Sequence, residues 1–150
     1  MKLAEALQER ADLNRRIAQM TGRLCNNAVV QEGEEPAENP QELLEELDIC
    51  IASLQNLIAR INLTNSRTVI EGKTLTEWIA QKDCLSLKLE AYQDLVREAS
   101  RLAQRATKTE IKIMSTVDVK ETQKITDSLA KELRLTDNKI QETNWKTELQ

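Results

Sequence analysis

NPQELLEELDICIASLQNLIARINLTNSR, from Asn39 to Arg67, decides the fold. Its apolar residues Leu44, Leu47, Ile51, Leu54, Ile58 and Ile61 recur three and four apart. That spacing lays one stripe along a helix and continues as a heptad seam. Asn65 falls at the next seam position. At the start, Asn39 supplies a cap, Pro40 suits the first turn, and Glu42 stands three residues after the cap. This is a capping-box pattern with proline at its favoured position. The stretch predicts a helix from Pro40 that stops near Leu63–Ser66.

The flanking stretches extend the pattern. Leu3, Ala6, Leu13, Ile17, Met20 and Leu24 predict a first helix from Lys2 to Cys25, with Arg10 on its apolar seam. An arginine there either snorkels to the rim or needs an acidic partner. Thr68–Ile70 and Lys73–Leu75 flank Glu71-Gly72 and form a short hairpin candidate. Thr74 with Glu77 makes a capping box for a third helix, Leu75 to Ala106. Its seam is Leu75, Trp78, Lys82, Leu85, Leu89, Tyr92, Val96, Ala99 and Ala103. Glu110–Asp118 alternates polar and apolar residues and reads as extended, able to pair with Thr68–Leu75. Asp118 and Glu121 cap a fourth helix, Val119 to Asn144, with a thin stripe at Ile125, Leu129, Leu133 and Ile140. Trp145 is expected to anchor the end of that helix in the core, with an interface contact as the alternative.

Composition agrees with long helices. The chain has 150 residues, 3 Gly, 2 Pro and no Phe, so it has few chain breakers and an aliphatic core. The fold expected is all-α: one domain over residues 1–150, an antiparallel bundle of four long helices. A long loop follows the first helix, and a small two-stranded β element is its one non-helical piece. Long seams on the second and third helices also predict a homo-oligomer.

Charge and cysteine content narrow the function. The net charge of −4 argues against nucleic-acid binding, which depends on a basic surface. With no His and three scattered cysteines, Cys25, Cys50 and Cys84, neither a zinc site nor a His-based triad is expected. No glycine-rich phosphate loop occurs. The chain therefore reads as a non-enzymatic protein without a cofactor. Charges begin at Lys2, and no apolar run approaches about 18 residues, so neither a signal peptide nor a membrane span is expected. Reduced cysteines point to a cytoplasmic location.

Three constellations remain as candidate sites. The loop Asn27–Glu38 holds Gln31, Glu32, Glu34, Glu35 and Glu38 around Gly33. Hard cations favour oxygen ligands, but the spacing matches no EF-hand. The loop reads instead as a clasp between helices or subunits, anchored by Val29 and Val30. Arg10, Asn14, Asn62, Asn65, Lys82 and Asp83 are polar residues near the seams. They would either set register or, should they meet, line a small-molecule or ion site. Arg97, Arg101, Arg105, Lys108 and Lys112 form a basic stripe suited to an acidic partner or a solvated face.

LAEALQERADLNRRI (Leu3–Ile17), NNAVVQEGEEPAENP (Asn26–Pro40), LIARINLTN (Leu57–Asn65), EIKIMSTVDV (Glu110–Val119) and KIQETNWKTEL (Lys139–Leu149) resemble a family of short bacterial proteins of unknown function, some labelled septicolysin. The resemblance covers nearly the whole chain. It implies an all-helical protein, and the septicolysin label would imply a pore-forming cytolysin. Gln31, Glu32, Gly33, Glu34, Asn62, Asn65, Glu110, Lys112, Gln141, Asn144 and Trp145 match the family pattern. The family lends them no roles.

Overall fold

The computed structural model describes residues 1–101 and 111–150. Their elements are α1 (Leu3–Asn26), α2 (Pro40–Arg67), β1 (Val69–Ile70), β2 (Lys73–Thr74), α3 (Leu75–Ala99) and α4 (Val119–Lys146). The protein is all-α, and among the described residues it holds one two-stranded antiparallel sheet. Two compact units share the chain: residues 1–69 with 143–150, and residues 70–142.

Local chemistry sets the boundaries. Asn39 caps α2 by accepting from the Gln41 N–H at 2.9 Å, with Pro40 at the first helical position. The cap is simple rather than the expected reciprocal box with Glu42. Thr74 and Glu77 do form a box: Glu77 N–H donates to the Thr74 hydroxyl at 3.2 Å, and Thr74 N–H donates to the Glu77 carboxylate at 2.6 Å. Asp118 accepts from Glu121 N–H at 3.1 Å and opens α4. Between β1 and β2, Glu71 and Gly72 have φ of 50° and 80°. Two consecutive residues in the left-handed region give the hairpin turn whose twist suits paired strands.

Two expectations change. Helix α3 ends at Ala99, with Ser100 as its cap, instead of running to Ala106. Positions 102–110, including Ala103, Ala106 and Glu110, lie outside the described residues. Residues 111–118 form no strand, and the sheet holds β1 and β2 alone. Ser115 turns the segment back instead, its hydroxyl donating to the Val117 carbonyl at 2.7 Å.

In the first unit α1 and α2 pack as an antiparallel pair, with Arg16 of α1 reaching Glu46 of α2. The buried residues of α1 are Leu3, Ala4, Ala6, Leu13 and Met20. The seam opens at Arg10, which is exposed. On α2 the buried positions are Leu43, Cys50, Leu57, Ile61 and Thr64. With the half-buried Leu47 and Leu54 they step by four and three along one face. Residues 143–150 close this unit. Leu3 N–H donates to the Thr147 carbonyl at 2.8 Å, and Leu149 N–H donates to the Met1 carbonyl at 2.9 Å. Gln150 N–H donates at 3.0 Å to the hydroxyl of the buried Thr64, which itself donates to the Arg60 carbonyl at 2.8 Å.

In the second unit every predicted seam residue of α3 from Leu75 to Ala99 is buried or half-buried. On α4, Thr126, Leu129, Thr136 and Ile140 are buried, whereas Ile125 is exposed. Threonine fills seam positions because the helix satisfies its hydroxyl: Thr126 donates to the Thr122 carbonyl at 2.8 Å. Beyond this unit, Asn144 is buried and Trp145 is 53% exposed, so the indole is no core anchor.

Candidate functional site

The expected seam of α2 and its buried face differ by a rotation of the helix. Leu44, Ile51 and Ile58 retain 44%, 44% and 37% of their exposure, whereas Ile61 retains 1%. The apolar surface of α2 is wider than the strip that α1 covers. Its margin is a row at seven-residue steps, each about 10.5 Å along the axis. Beside this row stand Gln41, Asp48, Gln55 and Asn62. From Ile49 to Ser66 the one charged residue is Arg60. Its guanidinium is engaged elsewhere, Nε donating to the main-chain oxygen of Gln150 at 2.9 Å.

The acidic loop is tied down by a pair that the sequence did not single out. Arg23 in the last turn of α1 donates from Nε to both carboxylate oxygens of Glu38, at 3.1 and 3.0 Å, and its Nη2 adds a further contact. Glu38 N–H donates to Asn27 Oδ1 at 3.0 Å, and Asn27 Nδ2 donates to the Arg23 carbonyl at 2.8 Å. The loop is therefore clasped to the end of α1 by Glu38. Val29 and Val30 do not anchor it, being 85% and 49% exposed. Gln31, Glu32, Glu34 and Glu35 are exposed around a tight turn in which Glu34 N–H donates to the Gln31 carbonyl at 3.0 Å. Gly33, with φ of 85°, supplies the left-handed residue that this turn requires. Among the described residues no group of three or more His, Cys, Asp or Glu side chains could hold a metal ion.

Of the polar seam residues, Arg10, Asn14, Asn62 and Asp83 are exposed, while Asn65 and Lys82 are half-buried. Asn14 donates its amide to the Arg10 carbonyl at 2.9 Å, a bond internal to α1. Lys82 pairs with Asp137 of α4 at 2.7 Å. Near it, an open groove of about 370 Å³ is bordered by Trp78, Gln81, Lys131, Leu135 and Lys139. Trp78 donates its indole N–H to the Ile70 carbonyl at 3.1 Å. The ammonium groups of Lys73 and Lys139 lie 5.1 and 4.5 Å from its ring centre. Lys139 also pairs with Glu71 at 2.6 Å.

Arg97 and Arg101 do not share one helical face, because α3 ends at Ala99. Arg97 pairs with Asp94 at 2.6 Å and Arg101 with Glu98 at 3.0 Å. Lys112 is exposed, and Arg105 and Lys108 lie outside the described residues.

Four carboxylates are held below the usual range by hydrogen bonds to their ionised forms. Arg23 acts on Glu38, Lys82 on Asp137, Lys2 on Glu148, and the Thr74 backbone N–H on Glu77. A lowered folded-state pKa gives stability that is present above the unfolded range, about 3.9–4.3, and lost as pH falls through the folded values. No histidine is present to titrate near neutrality. The melting temperature should therefore be flat between about pH 6 and 8 and fall below about pH 4. Calorimetry across that range checks it, and a steep change near pH 6.5 would contradict it.

Among the described residues no helix is long and apolar enough to cross a membrane. No curated protein matches the chain. It is similar to a functionally unknown conserved protein from Corynebacterium diphtheriae, known by crystal structure. The two share 42% identity over 100% of this chain and 99% of that one, with a TM-score of 0.94. Neither that description nor the family's carries the septicolysin label. The model of a family of unknown function, DUF6847, matches residues 10–149, and the chain belongs to that family.

Proposed function

We propose that this protein is a non-enzymatic, cytoplasmic homo-oligomer that works through protein–protein contacts. The observation that carries this reading is the uncovered row Leu44, Ile51 and Ile58 on α2, whose last two members lie in the stretch Ile49–Ser66 with Arg60 as its one charged residue. Interface cores lose charge relative to ordinary surface and keep aliphatic anchors. A helix presenting apolar residues every seven positions is suited to another helix with the same repeat. The absence of histidine removes the commonest general base and supports the non-enzymatic part. Three free cysteines, Cys25 and Cys84 exposed and Cys50 buried, fit a reducing compartment.

The expected mass in solution is a multiple of the 17.1 kDa chain. Light scattering coupled to gel filtration, from low to high micromolar concentration, reads it directly. A 17.1 kDa species throughout that range would remove the oligomeric reading.

A further inference from the structure

We propose that the groove between α3 and α4 beside Trp78 is a binding site for a small organic monoanion, one carboxylate on a short apolar group. The site lies wholly within the second unit and is independent of the self-association proposed for α2.

Thr136 carries the argument. It is 5% exposed and borders the groove. The other buried threonines among the described residues, Thr64 and Thr126, each donate to the carbonyl four positions back. Thr136 sits within α4 and has the same option, yet its hydroxyl has no hydrogen-bond partner among the described residues. A buried hydroxyl without a partner costs stability. Among the described residues no unbonded side-chain oxygen or nitrogen is wholly enclosed, so the accessible part of this hydroxyl opens on the groove that Thr136 borders. A ligand in the groove supplies the missing partner.

The surrounding groups say what that ligand is. Gln81 accepts from the Lys73 ammonium at 3.1 Å through Oε1. An ammonium can only donate, so this bond leaves the amide NH2 as the free end. Lys131 borders the groove and makes no ion pair among the described residues. Lys139 adds positive field, with its ammonium held by Glu71 and the Trp78 ring. Free donors in a net positive setting select an anion, and a carboxylate accepts from several of them at once. Glu132 borders the same groove and repels a second negative charge, which restricts the ligand to one. The exposed Leu135 and the indole of Trp78 supply an apolar wall. A volume of about 370 Å³ is at the small end for ligand sites and suits a short chain.

The test uses the full chain carrying Trp145→Phe, which leaves Trp78 as its single indole. Hexanoate titrated at constant ionic strength should change the Trp78 emission along a saturating curve. Hexylamine has the same chain and the opposite charge, and should give no saturating change. Thr136→Val keeps the shape and deletes the hydroxyl. It should weaken hexanoate binding about tenfold or more, which is what a hydrogen bond to a charged group is worth. Without ligand, its melting temperature should equal or exceed that of its parent, because no bond within the protein is lost. Lys131→Glu should weaken binding about fivefold or more. An emission that does not saturate with hexanoate overturns the site, as does unchanged affinity in Thr136→Val or in Lys131→Glu. Hexylamine binding as tightly as hexanoate overturns the ligand class. A lower melting temperature of ligand-free Thr136→Val assigns the hydroxyl to folding and overturns the argument from it. Each of these results leaves the oligomeric reading standing.

Discussion

Trp78→Ala should lower the melting temperature by about 6–20 °C. The indole is 8% exposed and is the largest buried side chain among the described residues of its unit. Removing a buried aromatic costs about 3–5 kcal/mol through lost burial and the cavity left behind. Two cation–π contacts and the N–H bond to the Ile70 carbonyl go with it. At about 2–4 °C per kcal/mol for a chain of this size, those losses give the range stated. Trp78→Phe keeps a ring beneath both ammonium groups and drops the N–H, so it should cost a fraction of the alanine change. Fluorescence offers a second reading. Trp145 is 53% exposed, so Trp78→Ala should leave a weaker, red-shifted emission from Trp145 alone. A melting temperature within about 2 °C of wild type would show that Trp78 is not the packed centre of this unit.

The parts of the fold legible in the sequence are those written over a few residues. Asn39, Thr74 with Glu77, and Asp118 each act on a backbone N–H two or three positions away, and each cap is found where it was expected. The Glu71-Gly72 turn is equally local. What long spacing decides is harder to read. On α2 the apolar face is broad, and the runs beginning at Leu43 and Leu44 have the same period. The face towards α1 is chosen by packing, and it includes Cys50 and Thr64, which a count of leucine and isoleucine passes over. Trp145 inverts expectation for a related reason: the register of the whole helix, which buries Asn144, outweighs the hydrophobicity of its last residues. The Arg23–Glu38 clasp joins residues far apart in sequence. Its one signal was a base in the last turn of a helix followed by an acid just before the next cap. As for the candidate site, the sequence set Leu44, Ile51 and Ile58 on the same stripe as Leu47, Leu54 and Ile61, and the structure leaves the first three exposed. That they form the uncovered margin required the rotation of α2 to be known.

Two isoleucines three residues apart separate these readings. The heptad pattern alone treats Ile58 and Ile61 as equals, yet one is 37% exposed and the other 1%. Ile61→Ala should cost about 2–5 kcal/mol, the usual range for deleting a buried aliphatic side chain whose cavity cannot fully collapse. Ile58→Ala, measured where the chain is dilute and single, should cost less than about 1 kcal/mol, because half-exposed positions lose little transfer energy. Urea unfolding at low concentration measures both. The contrast should then change with protein concentration. Ile61→Ala removes stability within each chain, so its cost holds at any concentration. Ile58→Ala removes a contact made only in the pair, so its cost should grow as wild type gains stability from association. Equal costs at low concentration would mean that the buried face of α2 is misassigned. An Ile58→Ala cost that never grows with concentration would mean that the exposed row meets no second copy.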